Sequence, residues 1–260
     1  VVVDPSMGYD WYEREGGGEA IERPPFEIIG EHTQGGFAEY AVVPAANLLE
    51  IPEGCSFARA AAAGLTFVTS WRALVTRGGL QAGERVLVTG ASGGVGTASV
   101  AIAVAAGARV YALTHGPEKV RRLEAMGAHR VYDRNEVDFS RELWQDTGKR
   151  GVHLVYDTVG ERIWPQCLRS LSVGGRLVTS GATTGSHGAT EIRLVFWKQL
   201  SIMGSTMGTP AEFQRVMAMV FDGALDPVIH ETLPLAEVRR AHQILEDGGV
   251  FGKVVIEPWS

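Results

Sequence analysis

Apolar and polar residues between positions 85 and 203 alternate in blocks rather than singly. Arg85-Val86-Leu87-Val88-Thr89 is a strand-like apolar run, and small and apolar residues predict a helix after it, over 94–106. The pair recurs as a strand at 109–113 and a helix at 118–126, with further strands predicted at 130–132, 152–156, 176–179 and 200–203. Strands without a polar face are buried on both sides, and helices between them supply the cover. The region is therefore predicted as α/β, a doubly wound parallel sheet.

The flanks lack that rhythm. Residues 1 to about 26 carry Gly16-Gly17-Gly18 and Pro24-Pro25, which break any period and predict an irregular, exposed lobe after an initial Val1-Val2-Val3 strand. A chain opening at Val1, inside a strand, reads as processed or as a fragment. Between 37 and 51, Phe37-Ala38-Glu39-Tyr40-Ala41-Val42-Val43-Pro44 and Leu48-Leu49-Glu50-Ile51-Pro52 predict short strands split by turns, part of a small β-domain. The alanine-rich stretch at 57–74 predicts one or two helices, and the tail from 210 predicts two helices and two strands, the last at 253–256.

Composition then narrows the partners. At 260 residues and 45% hydrophobic content the chain can bury a sizeable core, and its net charge of -6 argues against a nucleic acid, which is held by clustered cations. The two cysteines, Cys55 and Cys167, build neither a disulfide framework nor a spaced metal site, which suits a reducing cytoplasm. The longest apolar stretch, near 100–108, is too short to span a bilayer, and the first residues hold no basic leader. The expected partner is a small molecule.

The strongest chemical signal is Thr89-Gly90-Ala91-Ser92-Gly93-Gly94-Val95-Gly96, between the first strand of the repeating region and its helix. Ala91, Gly93 and Gly96 take the three fingerprint places of a dinucleotide-binding turn: tight bend, close approach of backbone to pyrophosphate, and helix packing on strand. Ser92, Gly93, Gly94 and Val95 are thus candidate phosphate contacts, since a helix start presents amides and partial positive charge. NAD enzymes place an acid about 20 residues further on to hold the ribose hydroxyls. Here the second strand ends Leu113-Thr114-His115-Gly116, with Lys119, Arg121, Arg122 and Arg134 nearby. Thr114, Lys119 and Arg134 therefore predict a 2′-phosphate pocket, and NADPH over NADH. Solvated helix faces would explain Arg121 and Arg122 equally well.

With that loop in place, the chain resembles the medium-chain dehydrogenase/reductase superfamily, most closely its quinone oxidoreductase-like and zinc-binding-dehydrogenase-like branches. The likeness is carried by Gly35-Gly36-Phe37-Ala38-Glu39-Tyr40, Ala61-Ala62-Ala63-Gly64-Leu65-Thr66, the 86–96 loop, Asp157-Thr158-Val159-Gly160, Gly174-Gly175-Arg176 and Gly252-Lys253-Val254-Val255. It implies a Rossmann domain inserted in a partial GroES-like β-domain: a partial GroES-like catalytic domain at 1–63, the Rossmann domain at 64–205, and a segment 206–260 returning to the catalytic domain. The front quarter of such proteins, one wall of their cleft, lies outside this sequence. By the same resemblance Thr66 should lie beside the nicotinamide, Ser180, Gly181 and Ala182 along its ribose side, and Lys253 should be a phosphate or ribose contact.

The chain departs from its zinc-containing relatives. The four structural-zinc cysteine positions fall on Tyr9, Tyr12, Glu15 and Arg23, and Ala62 stands at the place of a catalytic zinc ligand. No metal is expected, and His32 is read as a structural loop histidine. Without zinc to polarise a carbonyl, the resemblance implies NADPH-dependent hydride transfer to a quinone, enone or enoyl-type substrate, whose developing charge a few donors can stabilise. The sequence names no proton donor, and the hydroxyls of Thr66, Thr69 and Ser70 could instead cap backbone. A zinc-type alcohol dehydrogenase and a non-catalytic NADPH-binding protein remain alternatives. Relatives pair across the outer strand of the sheet, so a homodimer is expected through residues 200–204.

Overall fold

Short strands open the chain: β1 (Val2–Val3) and β2 (Ser6–Met7) pair antiparallel with β4 (Leu48–Leu49) and β3 (Glu27–Ile28). The structure is a computed structural model that describes residues 1–9 and 26–259. It divides into two units, residues 1–68 with 207–260, and residues 69–206. The boundary falls inside helix α1 (Phe57–Trp71), whose end widens into a π-helical stretch, Arg72–Arg77.

Within 69–206 the predicted alternation is present. The chain runs β5 (Arg85–Val88), α2 (Gly94–Ala105), β6 (Arg109–Thr114), α3 (Pro117–Ala125), β7 (Arg130–Asp133), α4 (Phe139–Asp146), β8 (Val152–Asp157), α5 (Trp164–Ser170), β9 (Leu171–Thr179), α6 (Ile192–Lys198) and β10 (Ser201–Gly204). Six strands form one parallel sheet in the order β10-β9-β8-β5-β6-β7. Successive residues Val86, Leu87 and Val88 are all fully buried, as a strand covered on both faces requires. Leu87, Tyr111, Leu143, Val155, Leu168 and Leu177 sit in one apolar cluster. Strand β9 begins at Leu171, five residues before the predicted start at Arg176.

The remaining elements complete the first unit: α7 (Pro210–Phe221), β11 (Ile229–Pro234), α8 (Val238–Glu246) and β12 (Lys253–Glu257), with β11 and β12 parallel. Helix α7 begins where the local chemistry demands. The Thr209 hydroxyl accepts from the Glu212 amide at 3.2 Å, the Glu212 carboxylate accepts from the Thr209 amide at 2.7 Å, and Pro210 occupies the first helical position.

Two expectations for this unit are corrected. Residues 37–43 form no strand: Tyr40 is 82% and Val42 99% exposed, because no neighbouring strand among the described residues gives their backbone a ladder or their side chains a face. The opening segment is not simply exposed either. Val2, Asp4, Ser6, Tyr9 and Phe26 are buried, and the Tyr9 ring packs 4.9 Å from Phe26 in a small cluster with Met207. The readings placed on residues 10–25 lie outside the described residues. No helix among the described residues is long and apolar enough to cross a membrane.

Candidate functional site

The sheet order locates a crevice. From β5 the chain moves outward through β6 and β7, then returns to β8 on the other side, so the topology reverses between β5 and β8. Loops leaving the carboxyl ends of strands part at such a point, and ligands of open α/β sheets bind there.

The glycine-rich loop lies at that reversal. Gly90, with φ +56°, makes the tight bend that the sequence reading gave to Ala91, which is instead buried and donates its amide to Leu113 O at 3.0 Å. A Cβ on Gly96 would stand 2.2 Å from Gly90 O, so only glycine allows α2 to start this close to the loop. A Cβ on Gly93 would meet nothing nearer than Gly90 O at 3.5 Å; that side is open and free for a ligand. Gly93 is the N-cap and has no side chain to offer, and the first helical bond is from Thr97 N to Gly93 O at 2.8 Å. The amides of Gly94, Val95 and Gly96 therefore have no acceptor within α2, and no acidic residue in its first turn offsets the positive end. Behind the loop, the Ser70 hydroxyl donates to Val95 O at 3.1 Å, holding the first turn in place.

A buried carboxylate anchors the other lip. Asp157, fully buried, accepts from the Thr89 hydroxyl at 2.6 Å, Gly160 N at 3.0 Å and Val159 N at 3.1 Å. Burial pushes its pKa up while those three hydrogen bonds pull it back. The bonds tie the end of β5 to the loop after β8. In the sequence Asp157 stands out only as part of a family block; this role is not visible there, because Thr89 and Asp157 meet only when β5 and β8 pair.

At the end of β6, Thr114 is buried and its hydroxyl has no hydrogen-bond partner among the described residues. His115 follows it, and the Arg134 amide donates to Thr114 O at 3.0 Å. His115 is held below the ordinary histidine pKa by burial and then by Lys119 and Arg134; Lys119 is held below the lysine range by burial and then by Arg134. Lys119 and Arg134 together bring positive charge to this end of β6, with the carboxylate of Asp133 opposing it at His115. One carboxylate escaped the sequence reading: Asp133, paired in register with Thr114, accepts from Gly116 N at 2.7 Å and Asn135 N at 3.0 Å. It arrives from the neighbouring strand β7, which motif spacing along β6 cannot anticipate.

Gly181 and Ala182 line a cavity of about 410 Å³ with Gly160, Trp164 and Ser180, all within 69–206. Thr66 and Lys253 belong to the other unit. The Thr66 hydroxyl donates back to Ala62 O at 3.0 Å, the backbone-capping role that was its alternative. Lys253 borders a separate cavity of about 1000 Å³ with Gly35, Gly36, Phe37 and Tyr40, and burial lowers its ammonium pKa.

The places of zinc ligands in the zinc-containing relatives fall only in part among the described residues. Ala62 is a buried methyl and Tyr9 a buried ring; Tyr12, Glu15 and Arg23 lie outside the described residues. Among the described residues no three His, Cys, Asp or Glu side chains cluster to hold a metal ion. His32 Nδ1 accepts from Ile28 N at 3.1 Å, a structural use.

Comparison with known proteins places this geometry in context. The family described as "Zinc-binding dehydrogenase" matches residues 94–222. The chain is 35% identical over 232 residues to the quinone oxidoreductase of Homo sapiens, covering 85% of this chain and 69% of that protein. Its fold superimposes with a TM-score of 0.89 on an NAD-dependent alcohol dehydrogenase, at 37% identity over 98% of this chain and 74% of the other. A 2-octenoyl-CoA carboxylase reductase solved with NADP and 2-octenoyl-CoA matches with a TM-score of 0.84 at 26% identity, over 89% of this chain and 56% of that one.

Proposed function

Because the chain belongs to the medium-chain dehydrogenase/reductase superfamily, in its quinone oxidoreductase-like branch, we propose that it uses NADPH to reduce a quinone, enone or enoyl-type substrate without zinc. Membership makes it an NAD(P)H-dependent oxidoreductase. The observation that carries the choice of NADPH is the end of β6: a buried Thr114 hydroxyl with no hydrogen-bond partner among the described residues, followed by His115, whose pKa burial and then the charges of Lys119 and Arg134 lower. A 2′-phosphate supplies acceptor oxygens and negative charge to such a pocket. The amides of Gly94, Val95 and Gly96 receive the pyrophosphate, and the bare side of Gly93 lets it approach. Bound NADPH supplies the hydride. The chain's part is to orient the dinucleotide across the crevice, with the loops at Gly160 and Gly181 walling its far side. The solved carboxylase reductase, which holds NADP and an enoyl thioester, supports both cofactor and substrate class.

Titration calorimetry with NADPH and NADH tests this reading. Replacing Lys119 and Arg134 together by alanine should weaken NADPH by about tenfold or more and leave NADH unchanged, given that hydrogen bonds to charged groups contribute about 1.5–3 kcal/mol before solvent screening reduces them. Equal loss for both nucleotides would overturn it. A second reading, NAD-linked alcohol oxidation, draws on Asp133, a carboxylate near enough to serve ribose hydroxyls, and on the NAD-dependent structural neighbour. Preference for NADH together with one equivalent of bound zinc would establish that alternative. NADPH oxidation against a panel of quinones and enones then sorts the substrates.

The same reading includes a homodimer. Among the described residues β10 pairs only with β9 and so leaves one edge of the sheet open, with Ile202 40% exposed and Phe196 and Trp197 of α6 also exposed. Pairing of β10 with its copy across a two-fold axis covers that edge. A monomer by light scattering at micromolar concentration counts against it.

A further inference from the structure

Tyr156 is the last residue but one of β8, and its hydroxyl meets Ser180, which lines a cavity with Gly181 and Ala182. Its side chain is fully buried, and its hydroxyl oxygen lies 2.5 Å from the Ser180 hydroxyl, its only hydrogen-bond partner among the described residues. Ser180, just beyond the end of β9, is half-buried and borders the cavity of about 410 Å³. Its amide donates to Asp157 O at 3.1 Å, which fixes its backbone to β8.

The chemistry of the two hydroxyls sets the direction of the bond. Either oxygen can donate by geometry alone. A phenol, with an ordinary pKa of about 10, is a much stronger acid than an aliphatic alcohol, which favours the arrangement in which the phenol donates and the serine oxygen accepts. Burial pushes the Tyr156 pKa up to about 12, which keeps it protonated at every working pH. A serine hydroxyl carries one hydrogen. With its oxygen already accepting from Tyr156, that hydrogen is left for something else, and the cavity is the open direction.

We propose that Tyr156 is a positioning residue: it fixes the Ser180 hydroxyl so that its hydrogen meets an acceptor oxygen on the nicotinamide half of the bound dinucleotide. The inference rests on the NADPH reading above and deepens it. With the pyrophosphate at the β5 loop and the 2′-phosphate beyond β6, the other half of the dinucleotide must run the opposite way, over β8 and β9, where Ser180 stands. The acceptor is a ribose hydroxyl or carboxamide oxygen of that half.

Two ligands separate this role from its alternatives: NADPH, and adenosine 2′,5′-bisphosphate, which keeps the 2′-phosphate but lacks the nicotinamide half. Tyr156→Phe and Ser180→Ala should each weaken NADPH by about 3- to 10-fold, the yield of one net hydrogen bond, without changing affinity for the bisphosphate. The double variant should lose no more than either single one, because both changes break one device. Ser180→Thr, which keeps a hydroxyl, should retain most of the affinity. Ser180→Ala, at a half-exposed position, keeps the test open should Tyr156→Phe fold poorly. Unchanged NADPH affinity in Tyr156→Phe or in Ser180→Ala, or parallel losses for both ligands with a lowered melting temperature, overturns the assignment. A wild-type protein that binds neither ligand defeats the NADPH reading and this one together; one that binds both while the variants stay silent defeats this one alone.

Discussion

Residues 69–206 and the unit formed by 1–68 with 207–260 are built from similar amino acids but treat them oppositely. In the first, Val86, Leu87, Val88, Val110 and Tyr111 are all fully buried or within 1% of it, inside a sheet whose strands each find neighbours. In the second, Phe37 is 65%, Tyr40 82% and Phe57 75% exposed, and its longest sheet is the single pair β11 and β12. The difference lies in ladder continuity, not in hydrophobicity. An apolar side chain is buried only where a neighbouring element offers a face, and sheet continuity decides how many faces exist. The phosphate loop consequently stands on a rigid frame. The sharpest way to break the contrast is Gly96→Val. Its Cβ would overlap Gly90 O at 2.2 Å and Ala91 Cα at 2.5 Å, both backbone atoms that cannot swing away. It should destabilise 69–206 by about 3 kcal/mol or more, the upper range of overpacking, and abolish nucleotide binding in calorimetry. A variant with wild-type melting and affinity would mean that α2 does not pack so closely on the loop.

Next in size is the link between the two lips of the crevice. Thr89→Val keeps the shape but removes the hydroxyl that donates to the buried Asp157 carboxylate at 2.6 Å. A hydrogen bond to a charged, buried group contributes about 1.5–3 kcal/mol, so a loss of about 2 kcal/mol is expected in urea unfolding, with weaker NADPH binding as the Thr158 loop loosens. A loss below about 0.5 kcal/mol would show that the carboxylate is satisfied without Thr89, contrary to the geometry.

How much of this was legible beforehand follows the same contrast. Strands β5 to β8 and helices α2 and α3 were readable because burial on both faces writes an unbroken apolar run, and glycines mark the turn between β5 and α2. Thr114 and Lys119 were reachable from spacing along β6. Asp133, the Thr89 to Asp157 bond and the Tyr156 to Ser180 contact were not, since each joins residues from different strands that only the order β9-β8-β5-β6-β7 brings together. Residues 37–43 misled for the converse reason. Their composition favours strand, yet composition cannot supply the partner that makes one.

A smaller effect reaches the amino-terminal edge of the same sheet. His153 Nδ1 accepts from Arg85 N at 2.9 Å, and burial followed by the Arg85 charge lowers its pKa below the ordinary histidine value. A histidine depressed in the folded state favours the neutral ring. Its contribution is therefore complete above the unfolded pKa of about 6.5 and is lost as pH falls through the folded value. Stability measured by urea unfolding should decline on acidification below about pH 6.5, and His153→Gln should flatten part of that decline. An identical pH profile in the variant would move the cause to other groups, His115 being the other lowered histidine.

The smallest expected change tests the contrast from its exposed side. Val42 is 99% exposed and Val88 fully buried, so replacing either valine by serine makes one chemical change in two settings. Burying a valine side chain contributes about 1.5–3 kcal/mol, and a serine placed at Val88 would also bring a hydroxyl into the core, so Val88→Ser should cost about 3 kcal/mol or more. Val42 removes nothing from water and forms no strand, so Val42→Ser should shift stability by less than about 0.5 kcal/mol. Urea midpoints of the two variants, read side by side, decide the matter. If Val42→Ser lowers the midpoint as Val88→Ser does, position 42 is covered in solution, and the contrast between the units belongs to what surrounds residues 37–43 rather than to their own sequence.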